Sequence, residues 1–428
     1  MQHKPLGELP GDIRQFVLKD FRPRVGEVAG SFPANAAWAR LRELGSDLWL
    51  DTGDIDAAGE LWTAEFTALT TNNTLLNREV QKGVYDEAIP RIGELLDRYD
   101  LDERGRTLER AFVLNAMHAL RLVERFDAHV SVEEHTDLAH DVDRTVETAR
   151  RYHEICPERF IVKVPLTPAG ILATRRLARE GIAVNHTLGF SARQNYVVTR
   201  LAGPAFVNVF LGRLNSFVAD NGLGDGQYVG ERATLASQAQ IRRLRDSRKT
   251  PTRQIGASFR AGEQVCNLAG VDVLTMPPKV ARQFLDLGIP PGEFEDRTGK
   301  DYEATLADGV DCRETGLATL WDVGPEVAAC LDDLEKEDLD RFSPGDLVTY
   351  FADHGCGDLL VDWSEPQVAT SAEEGKIPRM EHWKAPLAGG EIGLDALMNL
   401  AGLNSFIADQ KAMDEKVRQT LSGEHAHK

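Results

Sequence analysis

Short apolar, β-branched runs alternate along the chain with longer stretches whose apolar residues recur at helical spacing. The runs predict strands at 47–52 (DLWLDT), 66–72 (FTALTTN), 127–133 (DAHVSVE) and 160–165 (FIVKVP). Four more follow at 182–188 (IAVNHTL), 205–211 (AFVNVFL), 253–259 (RQIGASF) and 271–276 (VDVLTM). Helix signals separate them. Thr167-Pro168 supplies a cap and a first-turn proline, Gly181 closes the helix that follows, Ser191 caps the next, and Pro278 opens another. Strands alternating with helices pair in parallel through right-handed crossovers. Eight such units between residues 47 and 276 fit an α/β fold of the (β/α)8 TIM-barrel type. A doubly wound sheet would carry a glycine-rich loop after its first strand, and "DTGDID" is a poor one.

The flanks predict four regions. Residues 1–45 read as an N-terminal helical extension, 46–289 as the barrel, and 290–395 as an acidic insertion of helices and loops packing on it. Residues 396–428 read as a C-terminal helix and tail, with "GEHAHK" unstructured.

Side chains alternate across a strand, so in a barrel one face meets the helices and the other points into the lumen. Placing Val130 and Val132 outward turns Ser131 and Glu133 inward, and the same rule sends Lys163 in. It also sends in Asn185 with Thr187, and Asn208 with Phe210. "LWLDT" delivers Asp51, and "TALTTN" delivers Thr70 and Asn72. Most lie near C-terminal strand ends, where barrel active sites are built. Alone, an inward Asn or Thr is ordinarily a satisfied polar core group. An inward lysine needs a partner or must lose its proton. Lys163 is therefore either half of an ion pair with Glu133 or Asp51, or a nucleophile. Convergence of such groups from separate strands favours a site.

Composition narrows the class. The chain has 428 residues, 42% hydrophobic and 27% charged, with a formal charge of −19. That charge disfavours nucleic acid and membrane surfaces as partners. No apolar run reaches the ~20 residues of a membrane span, and the N-terminus lacks a secretory pattern. Five scattered cysteines without a CxxC pair predict a reducing, cytoplasmic setting and no zinc site. His135, His140 and His153 do not form HxH or HExxH spacing with a carboxylate in range, which disfavours a metal-dependent aldolase. The basic stretch "QIRRLRDSRKTPTR" is expected to be a solvated helix face rather than a nucleic-acid patch.

The strand-end motifs resemble the transaldolases, Schiff-base enzymes on a (β/α)8 barrel, from about Asp47 to Leu287 and again in "SFIADQKAMDEKV". "LDTGDI" resembles the segment of the catalytic aspartate, Asp51. "ALTTNNTLL" places the family's asparagine on Asn72 and a threonine on Thr70. "VSVEEHTDLAHD" places a water-holding glutamate on Glu133, and "FIVKVPLTPAGI" places the Schiff-base lysine on Lys163. "AVNHTL" supplies Asn185 and Thr187, while "VFLGR" and "GASFR" supply the phosphate contacts Arg213, Ser258 and Arg260. Asn208 and Phe210 fall beside the bound fragment.

The resemblance implies transfer of a dihydroxyacetone unit from fructose 6-phosphate or sedoheptulose 7-phosphate to an aldose phosphate, as in the pentose phosphate pathway. It implies no cofactor or metal, sugar phosphates as partners, and a monomer or homodimer. The related fructose-6-phosphate aldolases carry glutamine at Glu133 and tyrosine at Phe210, so transfer is expected over release. A deoxyribose-phosphate aldolase type would need a second inward lysine, which the strands lack. Departures from the family are Asn73 for a proline, Asn208 for a serine, His186 at an apolar place, and the long 290–395 region.

Overall fold

The computed structural model describes residues 3–20 and 32–423. Residues 424–428, most of the tail read as unstructured, and 21–31 within the N-terminal extension lie outside the described residues.

Eight parallel strands close into one barrel in sequence order. They are β1 (Asp47–Asp51), β2 (Phe66–Thr70), β3 (His129–Glu133), β4 (Phe160–Pro165), β5 (Val184–Thr187), β6 (Phe206–Phe210), β7 (Arg253–Ala257) and β8 (Val273–Met276). Closure comes from β1 pairing with β8, Asp47 opposite Val273. Each strand falls inside its predicted run; β3, β4 and β8 end on the run's last residue, and the other five stop one or two residues short of it. Those residues turn over the rim instead. Asn72 caps the helix Asn73–Gln81, accepting from Leu75 N at 2.8 Å. Thr167 caps Pro168–Arg179 and Ser191 caps Ala192–Leu201, accepting from Gly170 N and Gln194 N.

Aromatic side chains fill the N-terminal end of the barrel and the helix below it. Trp49 of β1 meets the Phe206 ring of β6 edge-on at 4.8 Å, and Trp38 stacks on Phe284 at 4.5 Å. The C-terminal end is polar and open to the insertion.

Residues 290–395 carry four helices, Pro325–Leu334, Pro344–Asp353, Glu365–Glu374 and Met380–Ala388. The first two share an apolar cluster with the barrel's outer helices, in which Leu331, Leu334, Leu347 and Phe351 meet Leu172, Val197, Val198 and Ile241. Charge reinforces the seam. The Arg200 side chain, 1% exposed, binds Asp332 and Glu335 at 2.8 Å each, and Arg248 binds Glu335 at 2.8 Å. The basic stretch lies on the helix before β7 with Arg243, Arg248 and Lys249 exposed, as expected of a solvated face, while three of its arginines fold back onto the barrel. Arg242 donates to Gly270 O, Arg245 pairs with Asp272, and Arg253 pairs with Asp47.

The C-terminal helix Leu394–Ser422 lies against Asn73–Gln81 across the polar end. Its start is fixed by a buried network. Asp395 accepts from Ser191 Oγ at 2.6 Å and from Arg193 at 2.7 and 2.8 Å, and Arg193 also reaches Asp358 at 2.7 Å. No helix among the described residues is long and apolar enough to cross a membrane.

Candidate active site

Register brings the inward polar residues together. Glu133 lies opposite Lys163 in the β3–β4 ladder, and Lys163 opposite Asn185 in β4–β5. Lys163 Nζ, 4% exposed, donates to Thr71 O at 3.1 Å and lies 3.6 Å from Glu133 Oε2. Phe406 of the C-terminal helix covers it, with the ring centroid 5.7 Å from Nζ.

The two carboxylates are set apart by their surroundings. Burial pushes both Asp51 and Glu133 above the ordinary carboxylate range, and the Lys163 charge opposes the shift in each. Thr70 Oγ1 donates to Asp51 at 2.7 Å and contacts Thr275 Oγ1 at 2.7 Å, so Thr70 orients Asp51. Glu133 accepts from the backbone N–H of Asn73 at 3.2 Å. Proline has no N–H, so the substitution of Asn73 for the proline expected there adds a donor to Glu133.

Ser131, Asn185 and Asn208 form a hydrogen-bonded chain across β3, β5 and β6. Asn185 donates to Ser131 Oγ at 3.1 Å, and Asn208 donates to Asn185 Oδ1 at 3.1 Å. Asn208 also donates to His186 O and accepts from Gly189 N, which occupies its amide with protein partners. Asn208, expected beside substrate, therefore fixes the amide orientation of Asn185. Thr187 Oγ1 is buried without a protein partner. His186 points the other way, with Nδ1 at 3.0 Å from Thr174 Oγ1.

A cavity of about 310 Å³ opens above Lys163, lined also by Asp51, Thr70, Asn72, Asn185 and Asn208. Phe210, Arg213, Ser258 and Arg260 line it too, whereas Glu133 and Thr187 lie outside the lining. Arg213 stands in the first turn of helix Leu211–Asp220, over the rings of Phe210 at 5.4 Å and Phe406 at 5.7 Å. Its guanidinium is pulled down to about 10 by burial and by the neighbouring charge of Arg260. Its Nη1 is buried without a hydrogen-bond partner. Ser258 holds φ at 65°, a left-handed conformation unusual for a residue with a Cβ. Its carbonyl would lie 2.1 Å from a Cβ on Gly212, so glycine there lets the segments carrying Arg213 and Arg260 meet.

The cavity also contains residues that the strand reading missed. Phe406 comes from the C-terminal helix, Arg78 from the helix after β2, Lys279 from the helix after β8, and Lys376 from the insertion. Phe406 lies inside the quoted ending motif, so that motif was its signal. Arg78 and Lys279 sit one to two turns beyond a strand end, within reach of the rim. For Lys376 no local signal exists, because only the tertiary course of the insertion brings it over the barrel.

The sequence pattern of the transaldolase/fructose-6-phosphate aldolase family matches residues 48–345. The chain belongs to this family. A transaldolase of Xanthomonas euvesicatoria pv. vesicatoria (strain 85-10) is 32% identical over 307 residues, covering 70% of this chain and 93% of the relative. One of Prochlorococcus marinus (strain NATL1A) is 30% identical over 246 residues, covering 55% of this chain and 72% of the relative. Fold and family together make this chain an enzyme of the transaldolase type, a transferase.

Proposed function

We propose that this transaldolase-family enzyme transfers dihydroxyacetone between sugar phosphates through a Schiff base on Lys163. The observation that carries the reading is a buried lysine 3.6 Å from a buried carboxylate, in one cavity with Asp51 and three arginines. The neutral amine of Lys163 attacks the ketone of fructose 6-phosphate or sedoheptulose 7-phosphate. Loss of water from the resulting carbinolamine gives an iminium. Glu133, with Thr187, exchanges protons with the departing water. Asp51 takes the proton of the C4 hydroxyl, and the C3–C4 bond breaks with its electron pair entering the iminium. An aldose phosphate leaves, and the enamine adds to a second aldose phosphate by the reverse steps.

The surroundings fit these roles. A carboxylate raised by burial is a stronger base once ionised, and Thr70 holds Asp51 in one orientation. Asn72 and Asn185 face the fragment's hydroxyls, while Arg213, Arg260 and Ser258 take the phosphate. Glu133 and Phe210 stand where the related aldolases carry glutamine and tyrosine, which favours transfer over release.

The test is product analysis. Fructose 6-phosphate with erythrose 4-phosphate should yield sedoheptulose 7-phosphate and glyceraldehyde 3-phosphate in equal amounts. Free dihydroxyacetone formed at the same rate would instead assign the enzyme to the aldolase side of its family.

A further inference from the structure

The mouth of the site holds more positive charge than one sugar phosphate requires. Besides Lys163, five cations line the cavity, Arg78, Arg213, Arg260, Lys279 and Lys376, and among the described residues none of the five is in an ion pair. Elsewhere in this chain of net charge −19, arginines find carboxylates readily, as Arg151, Arg159, Arg200 and Arg245 do. Three carboxylates act on the cluster: Asp409, which accepts a hydrogen bond from Thr74, on Arg213 and Lys376, Glu133 on Arg213, and Asp51 on Arg78 and Arg260. Arg213 and Arg260 match the charge of one phosphate dianion. With Glu133 paired to Lys163, that leaves Arg78, Lys279 and Lys376 against Asp409 and an Asp51 whose charge is shared with Lys163 and Arg260.

Lys376 is held in place. Its turn joins helices Glu365–Glu374 and Met380–Ala388, and Asn221 grips the far side. Asn221 Nδ2 donates to Pro378 O at 3.0 Å, and its Oδ1 accepts from Met380 N at 2.7 Å. Asn221 ends the same helix whose first turn carries Arg213. One helix therefore positions a phosphate arginine at one end and the insertion's lysine at the other. Trp383 Nε1 adds a bond to Glu374 at 2.8 Å across the turn. Lys376 feels the repulsion of Arg213, Arg78 and Arg260, which places all four in one electrostatic field. Like charges gathered this way cost stability unless an anion joins them.

Resting on the reading above, we propose that Arg78, Lys279 and Lys376 form a second anion subsite, and that the sugar bound here carries two anionic groups. A second phosphate, or a carboxylate, on the part of the sugar distal to Lys163 would complete the charge balance. The insertion is then a substrate-recognition element as well as a packing one.

Calorimetric titration of the intact protein tests this with probes that form no Schiff base: inorganic phosphate against pyrophosphate, and glucitol 6-phosphate against glucitol 5,6-bisphosphate, whose added phosphate lies at the end distal to Lys163. At least one probe with two phosphate groups should bind about tenfold tighter than its one-phosphate counterpart, the value of one added charge-assisted hydrogen bond. The double variant R78M/K376M should bring the two members of that pair level, and R213A should weaken both. If probes with one and with two phosphate groups bind alike to the unaltered protein, or if R78M/K376M keeps the difference, the second subsite is overturned. If no probe binds at all, the failure lies with the Arg213–Arg260 phosphate site itself.

Discussion

Asp51 and Glu133 sit on opposite sides of the lysine problem. Each is raised by burial and held down by the Lys163 charge, so their protons belong to a coupled set. A base raised in this way must lose its proton before it works. The acid limb of kcat/KM should therefore lie above the ordinary carboxylate range, and a pH–rate profile measures it directly. The backbone N–H of Asn73 lowers Glu133, so Asn73→Pro removes that help and should move the acid limb to higher pH. Proline is tolerated at a helix's first position, so the variant should fold. An unmoved limb would show that Glu133 does not titrate in the rate-determining form. Asp51→Asn should lower kcat by about 10²–10⁴-fold with the fold intact by circular dichroism. Arg213→Ala should raise KM for fructose 6-phosphate by about 10–100-fold and leave unphosphorylated fructose little changed.

At the scale of elements, strand position was legible because buried parallel strands read as apolar runs bounded by helix caps. The inward lysine, carboxylates and amides were legible for the same reason, since a charged residue within such a run contradicts simple core packing. What stayed hidden lies on elements joined by tertiary contact. Lys376 lies on a turn of the insertion far in sequence from any strand, and the amide network that occupies Asn208 depends on how β5 and β6 lie together. Two element contacts invite tests. Gly212→Ala would press a Cβ to 2.1 Å from Ser258 O and 2.7 Å from Arg260 Cγ. Overpacking of this kind costs about 1–3 kcal/mol, and the displacement of Arg260 should raise KM for phosphorylated donors. Asp395→Ala leaves the buried Arg193 with Asp358 alone, and urea unfolding should show a loss of about 3 kcal/mol. A loss below 1 kcal/mol would mean that the C-terminal helix is held by its apolar face instead.

The whole molecule couples its acid stability to buried histidines. His118 and His186 are both pushed from 6.5 to about 3 by burial, and both stay neutral in the folded chain. Their contribution is complete above about pH 6.5 and is lost as pH falls towards 3, because the unfolded imidazoles take up protons first. The slope is about 1.4 kcal/mol per pH unit for each. His186→Gln should flatten the fall in unfolding free energy between pH 6 and 4 relative to the unaltered protein, and equal slopes would assign the acid sensitivity elsewhere. All of these parts, the barrel, the insertion and the C-terminal helix that brings Phe406 over Lys163, enclose one amine. The most direct measurement is therefore the mass of the intact protein after borohydride reduction with fructose 6-phosphate present, followed by peptide mapping. One reduced dihydroxyacetone adduct is expected, located on Lys163 and absent from Lys163→Ala. An adduct on another lysine, or turnover that survives Lys163→Ala, would contradict a Schiff base on Lys163.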